Sequence, residues 1–108
     1  MLALLGISLL CYIIGSVPTA YLIAIKRGFD LKKLGSGNVG TSNLTYHCGN
    51  ISAIPTILFD VFVKGCLPTL LTHNALDMDP YSFTVILPCL ASLTGHNWSL
   101  FLKFKGGR

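Results

Sequence analysis

Charged residues are scarce in this sequence. They make up 11% of the 108 residues, whereas hydrophobic residues make up 52%. A soluble domain usually carries about 25% charged residues. The segment from Met1 to Ile25 contains no charged side chain at all. The length would suit one small soluble domain, but apolar blocks this long argue against one.

Two other patterns are missing. The four cysteines, Cys11, Cys48, Cys66 and Cys89, have no C-x-x-C spacing, so they predict neither a metal site nor a disulfide framework. The amino-terminal segment has no basic start, and its apolar run is longer than that of a signal peptide. We therefore interpret this segment as a membrane helix and the cysteines as small packing residues.

Three apolar blocks predict membrane spans at residues 3–25, 51–71 and 81–98. Met1 to Ile25 as a helix would measure roughly 37 Å, against a hydrocarbon core of about 30 Å. Pro18 should kink this first helix, which membrane helices tolerate. The fold class is an all-α integral membrane protein with about three transmembrane helices and two glycine-rich cytoplasmic loops, as part of a larger helical bundle.

The basic residues outside the apolar blocks fall on one side of this topology. They follow the first or the third block, whereas the intervening loop "THNALDMDP" has none. Lysine and arginine accumulate on cytoplasmic loops. We therefore expect the amino terminus outside and both basic segments inside.

The first polar stretch, Gly35 to Asn43, reads "GSGNVGTSN". A glycine-rich turn leading into a helix can bind an anion through free backbone N–H groups and the helix dipole. The alternative is a loop that only caps a helix, with Ser42 or Asn43 as the N-cap. The residues by themselves leave both interpretations open.

The second polar stretch, Gly95 to Arg108, reads "GHNWSLFLKFKGGR". Its alternating apolar and basic residues suit the headgroup layer, with Trp98 as an interfacial anchor. Gly106, Gly107 and Arg108 would form a second anion-binding turn. His96 is either a functional or a structural histidine.

Asp60 and Lys64 interrupt the second apolar block. Ionisable groups inside a membrane are costly and indicate function. Their i, i+4 spacing also favours a structural ion pair on one helix.

These segments resemble the amino-terminal half of the bacterial membrane acyl-phosphate:glycerol-3-phosphate acyltransferases. The similarity lies in "GSVPTAYLIA", "GSGNVGTSN", "FDVFVKG" and "GHNWSLFLKFKGGR", in that order along the chain. The resemblance implies acyl transfer from acyl phosphate to the 1-hydroxyl of glycerol 3-phosphate, forming lysophosphatidic acid in the bacterial inner membrane, with the active site facing the cytoplasm. It implies no metal or other cofactor and no nucleic acid. The implied partners are glycerol 3-phosphate, acyl phosphate, membrane lipid and a separate enzyme that makes acyl phosphate.

The resemblance also implies site residues. Ser36 and His96 would be catalytic, although an acyl phosphate is already activated and a substrate phosphate oxygen could take the proton in place of His96. The substrate-binding residues would be Gly35, Gly37, Asn38, Gly40, Asn43, Lys64, Lys105, Gly106, Gly107 and Arg108.

Three departures qualify the resemblance. Tyr46 stands where the family usually has an arginine, the spacing from Asp60 to Lys64 is one residue longer than usual, and the second motif stops at Arg108. We therefore expect residues 1–108 to be one membrane domain, the amino-terminal part of a longer acyltransferase, and to be inactive alone. The alternative is a non-catalytic small membrane protein that binds anionic lipid or serves as a transporter subunit.

Overall fold

The structure is a computed structural model, and it describes residues 1 to 106. These residues form helices, turns and loops without a β-strand. In chain order the elements are α1 (Leu2–Gly15), α2 (Thr19–Lys26), α3 (Thr41–Cys48), α4 (Asn50–Leu58), a π-helical segment (Phe59–Cys66), α5 (Leu67–Leu76) and α6 (Ile86–Asn97). Short 3-10 turns lie at Leu31–Lys33, Phe83–Val85 and Leu100–Leu102.

Three helical runs are long and apolar enough to cross a membrane: Leu2–Lys26, Asn50–Leu76 and Phe83–Leu102. The predicted all-α, multi-pass membrane fold is therefore confirmed, although the boundaries differ from the prediction. The second run continues past residue 71, and the Thr72 hydroxyl is satisfied within this run, since it donates over 2.7 Å to the Pro68 carbonyl oxygen. It ends where Asp77 adopts a left-handed backbone, with φ 50°, a common geometry at helix ends.

The first span is broken rather than kinked at Pro18. Helix α1 ends at Gly15 and α2 begins at Thr19, because the proline nitrogen cannot donate a helical hydrogen bond. The turn after α6 forms hydrogen bonds with the backbone and side chain at this break. The Ser99 hydroxyl donates to the Ser16 carbonyl, and the Leu100 N–H donates to the Ser16 hydroxyl over 3.3 Å.

Small residues, many of them polar, fill most of the interior of the bundle, and most of the large apolar side chains face outward. Buried polar residues within the helical runs include Ser8, Ser16, Ser52, Thr56, Thr72, Ser92 and Ser99. Exposed apolar residues include Leu5, Leu9, Ile54, Phe62, Leu90 and Leu93. This arrangement is typical of membrane helices, since lipid solvates large apolar side chains and small residues let helices approach.

Helices α1 and α6 touch backbone to backbone. A Cβ atom on Gly15 would collide with the main chain of Ser92, and one on Gly95 would collide with the Tyr12 carbonyl oxygen and the Ser16 nitrogen. These glycines therefore set the distance between the first and third spans. The contact also places the helix break beside the carboxyl end of α6.

This contact predicts that Gly95→Ala destabilises the protein by about 1–3 kcal/mol, since overpacking forces the backbones apart. Gly6→Ala is the matched control, because a Cβ on Gly6 meets nothing within 4 Å and alanine is the better helix former. Thermal unfolding in detergent should show a lower Tm for Gly95→Ala and no loss for Gly6→Ala. Equal Tm values for the two variants would contradict the close crossing.

Candidate functional site

The Asn43 side chain organises the first polar stretch. Asn43 is buried at the start of α3, and its Nδ2 lies 3.2 Å from the Leu31 carbonyl oxygen, 3.0 Å from that of Leu34 and 2.8 Å from that of Asn38. One amide group thus donates to carbonyls spread along the preceding loop. The loop is thus folded around the Asn43 amide.

Gly35 and Gly37 are required by the backbone of this loop. Both have a positive φ, 52° at Gly35 and 73° at Gly37, which favours glycine. A Cβ on Gly35 would also lie 2.6 Å from Asn43 Oδ1 and 2.8 Å from His47 Nε2. Their roles in the described structure are therefore conformational, and Gly35 packs directly on the Asn43 amide.

Ser36 and the start of α3 complete the loop. Ser36 is exposed, and its hydroxyl accepts a hydrogen bond from the Asn38 N–H over 3.3 Å. Helix α3 begins at Thr41 with Gly40 as N-cap and without a side-chain cap. The alternative expectation of Ser42 or Asn43 as N-cap is therefore wrong, because the Asn43 amide is turned back toward the loop carbonyls.

The two polar stretches, which are far apart in sequence, form opposite walls of one groove. Its volume is about 930 Å³, and it is lined by Lys32, Gly37, Asn38, Val39, Asn97, Trp98, Leu102, Lys103, Phe104, Lys105 and Gly106. These described lining residues carry three lysines and no carboxylate. The Lys32 ammonium lies 5.1 Å from the centroid of the Tyr21 ring, a cation–π contact that steadies it. The groove is therefore an electropositive site of substrate size.

A small cavity lies directly behind the groove. It has a volume of about 10 Å³, room for roughly one water molecule. Val39, Leu102 and Gly106 line both spaces. The cavity is also lined by the helix break, by Gly40 and Thr41 at the start of α3, and by Asp60, Lys64 and His96. It is too small for a substrate but connects the groove to buried polar groups.

Asp60, Lys64 and His96 form a polar cluster between the second and third spans. The Lys64 Nζ atom lies 3.2 Å from Asp60 Oδ1 and 3.0 Å from His96 Nδ1. The Thr19 hydroxyl donates to the same Asp60 oxygen over 3.3 Å. Lys64 is only 9% exposed. The pair is therefore the interior ion pair that their spacing predicted, extended by a histidine from α6.

The polar cluster also borders a lateral cleft of about 320 Å³. Its other lining residues, Gly65, Cys89, Ser92 and Leu93, belong to the same two membrane runs. Asp60, Lys64 and His96 line both this cleft and the small cavity. The cluster thus stands between an opening in the membrane region and the groove at the end of the bundle.

A family model for glycerol-3-phosphate acyltransferase matches residues 5–108. The chain belongs to the glycerol-3-phosphate acyltransferase family. A glycerol-3-phosphate acyltransferase of Rubrobacter xylanophilus is 42% identical over 100 residues, covering 93% of this chain and 48% of the relative. Glycerol-3-phosphate acyltransferase 2 of Moorella thermoacetica is 44% identical over 98 residues, covering 90% of this chain and 48% of the relative. The chain therefore spans about half the length of the curated relatives it matches.

Solved acyltransferase structures have the same fold. The glycerol 3-phosphate form of PlsY, an integral membrane glycerol 3-phosphate acyltransferase, aligns with a TM-score of 0.84 at 34% identity, covering 97% of this chain and 51% of that one. The lysophosphatidic acid form aligns with a TM-score of 0.80 at 32% identity, with coverages of 97% and 50%. The resemblance drawn from the polar stretches is thus confirmed at the level of the family and its membrane fold.

The residues expected to form the acyltransferase site divide into four groups. Gly37, Asn38, Lys105 and Gly106 line the groove, and Gly40, Lys64 and His96 line the small cavity, as does Gly106. Gly35, Ser36 and Asn43 line neither space and belong to the loop that forms the groove wall. Gly107 and Arg108 lie outside the described residues.

Sequence analysis missed two residues that hold the polar cluster. Thr19 donates to Asp60, and Ser92 donates over 2.7 Å to the Lys64 carbonyl oxygen. Asp60 itself was recognised as the partner of Lys64 but not as a site residue. The available signal was the presence of hydroxyl side chains inside apolar spans, where most buried hydroxyls have a hydrogen-bond partner.

The loop geometry predicts that Asn43→Asp is more damaging than Asn43→Ala. A carboxylate at this position would face the three carbonyl oxygens that Nδ2 now contacts, and a buried charge without donors is more costly than a missing hydrogen bond. Hydrogen exchange of the amides from residues 34 to 39 should be faster in Asn43→Ala and faster still in Asn43→Asp. Asn74→Asp, at an exposed position on α5, is the control. Unchanged loop protection in Asn43→Asp would refute this role.

Proposed function

We propose that residues 1–108 are one membrane domain, the amino-terminal part of a longer acyltransferase. The reaction is transfer of an acyl group from acyl phosphate to the 1-hydroxyl of glycerol 3-phosphate, which yields lysophosphatidic acid for phospholipid synthesis. The observation that carries this proposal is the electropositive groove built jointly by the two polar stretches. Family membership and the structural match to a glycerol 3-phosphate form support it.

Glycerol 3-phosphate is the proposed occupant of the groove. Its phosphate is a compact, doubly charged anion, and Lys32, Lys103 and Lys105 surround the space available to it. Backbone at Gly37 and Gly106 lines the groove as well, and glycine lets an anion approach the main chain closely. Asn38 supplies an amide at the same wall. Gly107 and Arg108, which the family resemblance implies as substrate-binding residues, lie outside the described residues.

Acyl phosphate is the proposed donor, and it reaches the site through the lateral cleft. Its acyl chain stays in the membrane region, while its phosphate meets the polar cluster and the groove. The 1-hydroxyl oxygen then forms a bond to the acyl carbon, and the bond from that carbon to the phosphate oxygen breaks. The hydroxyl proton leaves on the released inorganic phosphate. Since the donor is already activated, this transfer needs neither a metal nor a coenzyme.

The proposed location is the bacterial inner membrane, with the amino terminus outside and the groove facing the cytoplasm. The basic residues that follow the first and third spans support this orientation, because lysine and arginine accumulate on cytoplasmic loops. Soluble glycerol 3-phosphate is then available on the groove side. A separate enzyme supplies acyl phosphate, because nothing in the proposed reaction makes it.

A chimeric enzyme tests this function. Residues 1–108 replace the aligned part of the Moorella thermoacetica relative, and membranes containing the chimera receive acyl phosphate and labelled glycerol 3-phosphate. We expect lysophosphatidic acid formation, with the KM for glycerol 3-phosphate raised about tenfold or more by Lys105→Ala, since a hydrogen bond to a charged group contributes roughly 1.5–3 kcal/mol. Lys33→Ala is the matched control, because Lys33 is exposed and does not line the groove.

Three results would count against all or part of the proposal. A chimera that inserts in the membrane but forms no product contradicts the acyltransferase function. If the chimera forms no product and the protein of residues 1–108 binds anionic lipid, the non-catalytic alternative is favoured. Equal effects of Lys105→Ala and Lys33→Ala would leave the function intact but place glycerol 3-phosphate outside the groove.

Ser36 is proposed as a catalytic residue that contacts the substrate from the loop beside the groove. Ser36→Ala in the chimera should lower kcat/KM by about tenfold or more, because it removes a hydrogen bond to a charged group. Ser42→Ala changes an exposed serine a few positions away and should leave kcat/KM unchanged. Full activity of Ser36→Ala would restrict Ser36 to the turn that its hydroxyl makes with the Asn38 N–H.

A further inference from the structure

The polar cluster constrains the chemistry of His96. Lys64 Nζ contacts Asp60 Oδ1 at 3.2 Å and His96 Nδ1 at 3.0 Å. An ammonium group has three donors and no acceptor. Because its partner at the first contact is a carboxylate, Lys64 is paired as the ammonium. His96 Nδ1 must therefore accept the hydrogen bond, and the neutral ring carries its proton on Nε2.

The opposite assignment is unfavourable in these surroundings. If His96 Nδ1 carried the proton, Lys64 would have to be a neutral amine to accept it. The Asp60 carboxylate would then lose its counter-charge, and among the contacts described only neutral donors, the Lys64 amine and the Thr19 hydroxyl, would remain beside it. An uncompensated charge in the interior of a membrane protein is costly. The ion pair and the Nε2–H tautomer therefore support each other.

The backbone of Lys64 is fixed as firmly as its side chain. In an α-helix the carbonyl of Lys64 would accept from residue 68, but Pro68 has no N–H to donate. The Ser92 hydroxyl donates to this carbonyl over 2.7 Å. Ser92 and His96 lie one turn apart on the same face of α6. One helix thus contacts both ends of Lys64.

The π-helical segment contributes to this placement. Its wider turn is seen where the Leu67 N–H donates to the Phe62 carbonyl, five residues earlier. Such π-helical turns often occur at functional sites. Here the segment contains both Asp60 and Lys64 and presents them toward α6.

We infer that Asp60 and Lys64 are positioning residues that hold His96 as the Nε2–H tautomer. His96 then acts on the substrate as a hydrogen-bond donor to an anionic oxygen, and it is not the group that removes a proton. The tautomer follows from contacts within the chain. The contact of His96 with a substrate oxygen, that of a phosphate or acyl phosphate, rests on the proposed function.

Nuclear magnetic resonance of ring-labelled histidine tests the inference in the protein embedded in lipid bilayers. His73 is an internal reference, because its Nδ1 lies 2.8 Å from the Met78 carbonyl oxygen, and a carbonyl can only accept. The spectrum should show His96 without a proton on Nδ1 and with its proton on Nε2, whereas His73 should carry a proton on Nδ1. His96→Gln and His73→Gln assign the signals.

Variants of the lysine extend the test. The double variant Asp60→Asn/Lys64→Met removes the donor without leaving one charge unpaired, and the His96 signal should become a mixture of tautomers while the His73 signal stays unchanged. Lys64→Arg keeps a charged donor and should keep the Nε2–H form. In the chimera, the double variant should lower kcat/KM about tenfold or more, and Lys64→Arg should recover most of that loss.

The outcomes separate this inference from the proposed function. A wild-type His96 that is protonated on Nδ1, alone or together with Nε2, overturns the inference even if the chimera is active. An unchanged His96 signal in the double variant also overturns it, because the tautomer would then not depend on Lys64. The expected tautomers together with a chimera that inserts but forms no lysophosphatidic acid would sustain the positioning role and refute the acyltransferase proposal. If the double variant does not fold, the wild-type spectrum and Lys64→Arg still decide the question.

Discussion

The backbone contact between α1 and α6 determines where the rest of the site lies. Gly15 and Gly95 leave no room for a Cβ atom at the crossing, so the two helices are held at a single distance. That crossing brings the break in the first span against the turn that follows α6. The break, the turn and the start of α3 then surround one small cavity. Because membrane helices cannot rely on a hydrophobic driving force to associate, close packing of small residues has to supply this precision.

At two irregular points in the helices of this protein, a hydroxyl from another segment pairs with a backbone carbonyl. Pro18 interrupts the first span and Pro68 removes a donor from the second, and in both cases a serine from another segment donates to a carbonyl near the irregularity. Ser99 donates this hydrogen bond at the break in the first span, and Ser92 donates it to the Lys64 carbonyl. In lipid an unpaired carbonyl would cost several kcal/mol. The hydroxyls therefore stabilise the fold and also connect the spans at the level of the polar cluster.

The sequence predicts the gross features of this molecule because they depend on local composition. Apolar blocks, a disturbance of the first helix at Pro18 and a polar turn before α3 follow from residues close together in the chain, although the predicted kink at Pro18 is a break in the structure. The role of Asn43 does not follow in this way. Its residue type suits either a ligand contact or a cap, and only the fold shows its amide within reach of three loop carbonyls. The π-helical segment is equally hidden, since the sequence pattern predicts only a helix with an ion pair. The contact of Lys64 with His96 joins two spans and has no local signal.

The two sets of lysines in this protein experience different physical environments and so suit different tasks. Lys32, Lys103 and Lys105 line an open groove, where salt screens charges over about 8–10 Å, and they are suited to attracting and releasing a soluble phosphate. Lys64 is buried, paired with Asp60 and screened far less. Its charge is already neutralised within the cluster, so it adds little attraction for a distant anion. What it can do is fix the geometry and protonation of His96, beside the place where a membrane-held donor and a soluble acceptor would meet. Fixed donors of this kind are most effective where water is scarce, which is the environment that the small cavity and the surrounding spans provide.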